Sequence, residues 1–171
     1  VHMAEISKAA RLIEAPFLFR DSAHWSAALG GGALKLFSDE IAAKADVMII
    51  GYAGGSVRNL SARKPVVNAA DLKGLKVRVL GTPLWITAFG AIGMAPTPMK
   101  VSAVRDAIDT GTIEAVEIDA AGIEATKLYE IAPNLVATAH AFAIHPICFS
   151  AKTFRLRPAD LQEAILKAGA E

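Results

Sequence analysis

The sequence has a single cysteine and almost no net charge, and each scarcity excludes a class of protein. Cys148 has no second cysteine to pair with, so the 171-residue chain offers neither an intramolecular disulfide nor a cysteine-based metal site. Its 18 lysines and arginines are offset by 17 acidic residues, which leaves no basic surface to attract nucleic acid or anionic lipid. Any anion recognised by this chain must be held by a few local groups.

A long uninterrupted apolar run is also lacking. Residues 135–149 form the longest apolar stretch, which His140, His145 and Pro146 interrupt. It is shorter than the roughly 20 residues that a membrane-spanning helix needs. The opening Val1-His2-Met3 lacks the pattern of a signal peptide and is typical of a cloning remnant ahead of a mature or truncated segment. Apolar residues still make up 53% of the chain, which predicts a sizeable core.

Apolar patterning predicts alternating helices and strands. Residues 53–70 are rich in glycine, serine, proline and asparagine and are predicted to be a connection, as are residues 93–98. Residues 135–150 are predicted to form two strands or one long bent strand. The alternation indicates an α/β fold with a mostly parallel sheet. Helices are predicted at 4–15, 25–29, 34–44, 83–90, 101–110, 120–129 and from 158 onwards, and strands at 47–52, 75–80 and 113–118.

Arg78 is the first candidate for binding an anion. It precedes Gly81-Thr82-Pro83, which has the pattern of a strand end, a helix N-cap and a first helical residue. Strand alternation places Arg78 opposite Val77 and Val79, so one strand face is apolar and the other carries a guanidinium. Ligands of open α/β sheets bind near the carboxyl ends of strands, and helix N-termini favour anions. A solvent-exposed surface arginine is the alternative.

Arg58, Glu117 and Asp119 are weaker candidates. Arg58 lies in a glycine-rich segment after a buried strand, where ligands approach closely but surface arginines are also common. Glu117 and Asp119, two apart on a predicted strand, share a face and form a possible acid–base pair. The alternative is that Asp119 caps the following helix while Glu117 pairs with a base.

The motifs of enzymes and metal proteins are missing. The histidines have no metal-ligand spacing, and His140 and His145 are better explained as satisfied core or capping residues. Neither a phosphate-binding glycine loop nor a nucleophile–base motif occurs. The sequence therefore predicts no catalytic residues, no metal and no cofactor.

Several stretches, taken together, resemble the DctP family of TRAP-type periplasmic solute-binding proteins. Each motif is weak by itself, but their order and spacing over nearly the whole chain are specific. The motifs are Pro16–Phe19, Arg58-Asn59 before Arg63-Lys64-Pro65, Ala70–Val79, Gly93–Met99, Ala107–Ala115, Tyr129-Glu130 and Thr138-Ala139-His140.

The resemblance implies a two-lobed clamshell of class II type, here in an incomplete chain. Residues 1–74 would form part of lobe I and residues 75–140 lobe II. Residues 141–171 would form a crossover strand and the start of a helix returning to lobe I. The hinge would lie near Leu75 and within residues 141–150.

The resemblance also assigns site residues. Arg78 falls on the arginine that binds the ligand carboxylate, with support expected from backbone N–H groups at residues 82–84. Arg58 falls on a second arginine that contributes in some members. Pocket-lining positions of sialic-acid-binding members fall on Thr82, Val101, in place of an aromatic residue, and Ile118, in place of an asparagine. Asp119 would supply a polar group beside Ile118.

The implied function is to bind a small organic acid in the periplasm and deliver it to a TRAP membrane permease. No cofactor, metal or nucleic acid is expected. A ligand-sensing domain of the same fold is one alternative. A small hydrolase or isomerase using Glu117, Asp119 and a histidine is the other. Dicarboxylates, aromatic acids and sugar acids all stay open as ligands.

Overall fold

The computed structural model describes residues 6–7, 10–13, 15–30 and 35–170. The predicted cloning remnant at residues 1–3, and parts of the predicted first helix, lie outside the described residues. The helices are α1 (Ala10–Ile13), α2 (Ser22–Gly30), α3 (Lys35–Lys44), α4 (Pro83–Ala91), α5 (Val104–Asp109), α6 (Ala120–Thr126), α7 (Ala151–Arg155) and α8 (Ala159–Ala170). The strands are β1 (Val47–Ala62), β2 (Lys76–Val79), β3 (Ala95–Pro98), β4 (Ala115–Asp119) and β5 (Asn134–Ser150).

Short 3-10 turns connect some of these elements. They span Ala69–Leu72, Val101–Ala103 and Leu128–Glu130. Asn68 begins the first turn with a reciprocal cap, because its side chain accepts from Ala70 N while the Asp71 carboxylate accepts from the Asn68 backbone. Within the described ranges, no helix has the length and apolarity required to cross a membrane.

The five strands form one mixed sheet in the order β3-β2-β4-β1-β5. Strand β2 runs parallel to both β3 and β4, whereas β1 runs antiparallel to β4. The α/β class is confirmed, and the sheet is mixed because it contains both parallel and antiparallel strand pairs. The register places Arg58 opposite Asp119, and Arg78 opposite Val116.

Strand β1 is longer than predicted. The sequence ends this strand at Tyr52 and places residues 53–70, including Arg58, in a connection, which is wrong. The strand continues to Ala62 because Leu60 and Ala62 are completely buried and pair with β4. The apparent break is a glycine pair within the strand, Gly54-Gly55, with φ values of 129° and 86° that glycine adopts readily.

The structure also adds detail to the predictions at strands β3 and β5. Residues 95–98 form a strand at the sheet edge, although residues 93–98 are predicted as a loop. Edge strands tolerate Pro96 and Pro98 because one side of the strand has no ladder partner. Strand β5 is one continuous strand, in which Ala139 has a φ of 45° that interrupts the extended backbone.

The chain divides into two compact units. Unit 1 comprises the described residues of 1–14, 18–55 and 142–171, and unit 2 comprises residues 15–17 and 56–141. Strands β1 and β5 each contribute residues to both units. The lobe boundaries at 74/75 and 140/141 stay a prediction beside these divisions at 55/56 and 141/142.

An apolar cluster packs on each face of the sheet in unit 2. Val77 and Val79 are completely buried on one face, as their alternation predicts, and Arg78 points to the other. Fully burying a valine stabilises a fold by roughly 1.5–3 kcal/mol, so these short strands are well anchored. The first cluster is Leu60, Ala62, Val77, Val79, Trp85, Phe89, Met94, Ala115 and Ala141, and the second is Val104, Ile108, Ile113, Val116, Ile118, Leu128 and Ala132.

The core of unit 1 is smaller. Ile13 and Ile41 are buried in it, and Ile49, Tyr52 and Ile144 pack against them. Helix α3 therefore covers the unit 1 portions of strands β1 and β5.

Candidate functional site

Arg78 is a buried cation that has no acidic partner among the described residues. It is 4% exposed and lies one residue before the end of β2. Its Nε donates to the backbone oxygen of Met99 at 2.9 Å, and Nη1 donates to that of Glu117 at 3.5 Å. Within the described residues it forms no ion pair with a carboxylate. The alternative of a solvent-exposed surface arginine is therefore wrong.

Electrostatics make this guanidinium receptive to an anion. Burial lowers the pKa of Arg78, the Glu117 carboxylate opposes that change, and the charge of Arg58 adds to it. An arginine remains charged at neutral pH even when its pKa is lowered in this way. A buried charge without a counter-charge is costly, and a planar guanidinium binds a carboxylate through two parallel hydrogen bonds.

Arg58, in contrast, already has its counter-charge. Its Nε donates to Oε1 of Glu117 in an ion pair, and its side chain is 14% exposed. Its Nη2 donates to the Glu117 backbone oxygen at 3.5 Å, so both arginines approach the same carbonyl. The Arg58 Cζ also lies 5.7 Å from the centroid of the Trp85 ring, within cation–π range. These contacts orient Arg58 from three sides.

Glu117 and His140 form a buried polar network with Arg58. Glu117 is completely buried, and His140 Nε2 lies 3.3 Å from its Oε1. His140 Nδ1 lies 2.7 Å from the Thr138 hydroxyl, and the ring makes an edge contact with Phe89. The predicted pairing of Glu117 with a base is confirmed, as is the interpretation of His140 as a satisfied core residue.

The Glu117 carboxylate is ionised in this setting. Burial favours its neutral form, but the hydrogen bonds from His140 and Arg58, with their charges, hold the pKa of Glu117 below its ordinary value. Its Oε2 is buried and has no hydrogen-bond partner in the part of the chain that the structure describes. A sequestered, ion-paired carboxylate is poorly placed for acid–base catalysis, so the geometry does not favour the enzyme alternative.

Asp119 lies at the carboxyl end of β4, on the same strand face as Glu117. Its Oδ1 accepts from Gly122 N at 2.9 Å, which confirms that it caps the following helix. Its Oδ2 accepts from the Ser56 hydroxyl at 2.7 Å. Although burial raises it, the pKa of Asp119 is held below its ordinary value by these hydrogen bonds and by Arg58.

Thr82 precedes helix α4, which follows directly from the strand that bears Arg78. Its hydroxyl does not cap the helix, and Pro83 occupies the first helical position. Because proline has no backbone N–H, only Thr82 and Leu84 can donate from the expected group at residues 82–84. The helix dipole keeps its direction, so the N-terminus of α4 still favours negative charge.

The structure places Val101 and Ile118 in different surroundings. Val101 is 40% exposed at the start of a 3-10 turn, two residues after the carbonyl that holds Arg78. Ile118 is 5% exposed and belongs to the second apolar cluster. It packs so tightly on Gly122 that a Cβ added there would lie 2.5 Å from Ile118 Cδ1.

Two cavities in unit 2 lie away from Arg78. The larger, about 730 Å³, is found at the amino end of β2, and its lining includes Arg63, Lys64, Asp71, Lys73 and Glu114. The smaller, about 310 Å³, has no lysine or arginine among its lining residues, which include Phe17, Leu60, Phe89, Met94, Thr138 and His140. Since ligands of α/β sheets bind at the carboxyl ends of strands, Arg78 is the better-placed anion site.

Some side chains of the site could not be predicted from the residues next to them in the sequence. Ser56 lies on the same strand face as Arg58 but contacts Asp119, 63 residues away. His140 reaches Glu117 from β5, and Thr138 bonds the other ring nitrogen of His140. Only the sheet order brings β5 close to Glu117. Among the described residues, no group of histidine, cysteine, aspartate and glutamate has an arrangement that could hold a metal ion.

Comparison with known proteins places this geometry in a family. Residues 1–171 match the family described as bacterial extracellular solute-binding protein, family 7 (DctP). A solute-binding protein of Sulfitobacter sp. NAS-14.1 is 45% identical over 170 residues, which cover 99% of this chain and 52% of that protein. The 2,3-diketo-L-gulonate-binding periplasmic protein YiaO of Escherichia coli K12 is 30% identical over 174 residues, covering 99% of this chain and 52% of YiaO.

A solved structure agrees with these relatives. The crystal structure of a TRAP periplasmic solute-binding protein from Sulfitobacter sp. NAS-14.1, with bound α-D-taluronate, is 45% identical and superposes with a TM-score of 0.90. The match covers 98% of this chain and 55% of that protein, so the chain spans about half the length of its relatives. The expected fold class, the family resemblance and the prediction that the chain is no enzyme are confirmed. The chain belongs to the DctP family of bacterial extracellular solute-binding proteins.

Proposed function

We propose that this chain forms part of a TRAP-type solute-binding protein that holds the carboxylate of a small organic acid on Arg78. The observation that carries the proposal is a guanidinium 4% exposed, bonded only to backbone oxygens among the described residues and lacking an acidic partner. The surroundings that bury Arg78 also remove the ligand carboxylate from water, which strengthens the attraction between the carboxylate and the guanidinium. Bidentate geometry gives Arg78 an advantage over a lysine at this position.

The other predicted site residues have supporting roles in this proposal. Arg58, oriented by Glu117, adds positive potential beside Arg78 and donates its outer N–H groups. The N–H groups of Thr82 and Leu84 add a helix N-terminus to the anion site. Val101 supplies exposed apolar surface near Met99. Ile118 shapes the site from within the core.

Sugar acids are the proposed ligand class. The Sulfitobacter protein holds α-D-taluronate, and YiaO is named for 2,3-diketo-L-gulonate. Each of these molecules joins one carboxylate to a carbon chain that carries several polar oxygen groups. The guanidinium of Arg78 suits the carboxylate that both molecules carry. Delivery to a TRAP membrane permease from the periplasm is the proposed biological role, consistent with the periplasmic designation of YiaO.

A thermal-shift screen tests the proposal, followed by calorimetry. The screen uses the longest form of the protein that its gene encodes, because the chain spans about half the length of its relatives. Hexuronates, aldonates, dicarboxylates and aromatic acids are compared. The proposal predicts stabilisation by at least one sugar acid, with a midpoint that rises with ligand concentration.

Arg78→Ala should then weaken the identified ligand by roughly thirtyfold to several thousandfold, because loss of one partner of a buried charge pair costs about 2–5 kcal/mol. Arg105→Ala is the matched control, since Arg105 is an exposed arginine whose partner is Glu130. It should leave the affinity unchanged. Equal affinities of Arg78→Ala and wild type would remove the assigned role.

A further inference from the structure

The two arginines of the site converge on a single backbone oxygen. Arg78 Nη1 and Arg58 Nη2 each lie 3.5 Å from the carbonyl oxygen of Glu117. The strand register starts the two side chains on opposite faces of the sheet, but their ends meet at this one atom. Two neighbouring guanidinium groups without compensation would form a doubly positive site, which suits a doubly charged phosphate as well as a carboxylate.

The Glu117 carboxylate compensates one of these two charges. Its Oε1 accepts from Arg58 Nε in an ion pair, whereas Arg78 has no such partner among the described residues. Burial lowers the pKa of Arg78, Glu117 raises it and Arg58 lowers it, so the two neighbouring charges act on Arg78 with opposite signs. Asp119, opposite Arg58 in the register, adds a second carboxylate on the face that Arg58 occupies. Arg58 is thus balanced within the chain, and Arg78 is left with one positive charge to offer a ligand.

The burial of Arg78 makes the charge of the ligand decisive. The residue is 4% exposed, so an acid group that contacts it gives up much of its own water. The cost of removing an ion from water rises with the square of its charge, whereas its attraction to one cation rises only in proportion to the charge. A single guanidinium therefore offsets the desolvation of a singly charged carboxylate better than that of a doubly charged phosphate.

We propose that Glu117 is a specificity-determining residue, which neutralises Arg58 and so restricts the site at Arg78 to ligands with a singly charged acid group. The inference rests on the proposed function and adds a rejected ligand class to it, the phosphate monoesters of sugars. A guanidinium binds carboxylate and phosphate with the same bidentate geometry, so the shape of the acid group does not separate them. Its charge does, and specificity then comes from a cost imposed on the wrong ligand as much as from attraction to the right one.

Matched ligand pairs test the inference by calorimetry on the longest form of the protein that its gene encodes. Glucuronate is compared with glucose 6-phosphate and galacturonate with galactose 6-phosphate, because each pair shares a hexose ring and has its acid group at the same end. At pH 8 a phosphate monoester carries two negative charges. The wild-type protein should then bind the uronate of the better-bound pair at least about tenfold more tightly, the effect of roughly one unit charge in a partly desolvated site.

The charge of the phosphate group can also be changed without changing its size. Its second pKa is about 6, so at pH 5 it carries mainly one negative charge. Glu117 stays ionised at pH 5, because its pKa lies below its ordinary value of 4.5. Lowering the pH from 8 to 5 should therefore strengthen binding of the phosphate ester at least about threefold relative to the uronate. The uronate keeps its charge over this range, so it reports any titration of the protein itself.

Glu117→Gln keeps an oxygen that can accept from Arg58 but removes the negative charge, so Arg58 becomes a second uncompensated cation. We expect the preference for the uronate at pH 8 to fall below about threefold, and the dependence of that preference on pH to shrink. Glu130→Gln is the matched control, because it also removes the acidic partner of an arginine, in the exposed ion pair with Arg105. It should leave the preference intact.

The outcomes separate the two proposals. Equal binding of both members of a pair by wild type at pH 8, or an unchanged preference in folded Glu117→Gln, overturns the inference and leaves the proposed function standing. The wild-type pH series decides if Glu117→Gln does not fold, and a relative affinity for the phosphate ester that is the same at pH 5 and pH 8 also overturns the inference. No binding of any organic acid by wild type overturns the proposed function, and the inference with it.

Discussion

Replacing Glu117 with glutamine tests the buried polar network. The change preserves side-chain volume but removes the negative charge that both Arg58 and His140 contact. Each charge-assisted hydrogen bond contributes about 1.5–3 kcal/mol and becomes an ordinary bond of about 0.5–1.5 kcal/mol. For two such bonds, we expect the free energy of unfolding at pH 7 to fall by about 2–3 kcal/mol. Loss of one partner from a fully buried pair would cost more, but Arg58 keeps partial access to water.

The lowered pKa of Glu117 predicts how this loss of stability depends on pH. The folded-state pKa of Glu117 lies below its ordinary value of 4.5. The stabilisation by its charge is therefore fully present above about pH 4.5 and is lost as the pH falls through the folded-state pKa. Wild type should lose this increment on acidification, whereas Glu117→Gln lacks it at every pH. The difference between the two proteins should shrink as the pH falls below 4.5.

Urea denaturation of both proteins, followed by circular dichroism at a series of pH values, measures this difference. Glu130→Gln is the matched control, because Glu130 also pairs with an arginine but is 46% exposed. It should change the unfolding free energy by less than about 0.5 kcal/mol. A Glu117→Gln protein as stable as wild type at pH 7 would refute the assignment of stabilising charge to this network.

Two further substitutions test the packing. Gly54→Ala should destabilise the protein by more than about 2 kcal/mol, since its φ is 129° and the new Cβ would lie 2.2 Å from the Ala143 oxygen. Gly90→Ala, in a helix with open space around it, should instead stabilise by about 0.5–1 kcal/mol, and thermal unfolding measures both. Leu60→Ala should cost about 2–5 kcal/mol because Leu60 is completely buried, whereas Leu135→Ala, 61% exposed, should cost little, and equal losses in urea would contradict this ranking.

Local patterning predicted the elements whose side chains alternate or recur regularly. The orientation of Arg78 follows from its apolar neighbours Val77 and Val79, and the start of α4 follows from Thr82-Pro83. The helix cap at Asp119 is likewise local. These features depend on residues within a few positions of one another, so they can be predicted from a single sequence.

Features that depend on distant pairing were missed. The continuation of β1 beyond Gly54-Gly55 is stabilised by β4, more than 50 residues later, and glycine by itself indicates a break. The burial of Arg78 and the ion pair of Arg58 have the same origin. Strand β3 escaped prediction because prolines are tolerated only at an edge, and edges are defined by the sheet order.

The most direct test of carboxylate binding by Arg78 is a thermodynamic cycle measured by calorimetry. Wild type and Arg78→Ala are each titrated with the sugar acid identified by the thermal-shift screen and with its neutral amide. We predict that Arg78→Ala weakens binding of the acid strongly and binding of the amide only slightly. The coupling energy between guanidinium and carboxylate should be about 2–5 kcal/mol. A coupling energy near zero, with both ligands weakened equally or not at all, would contradict the account.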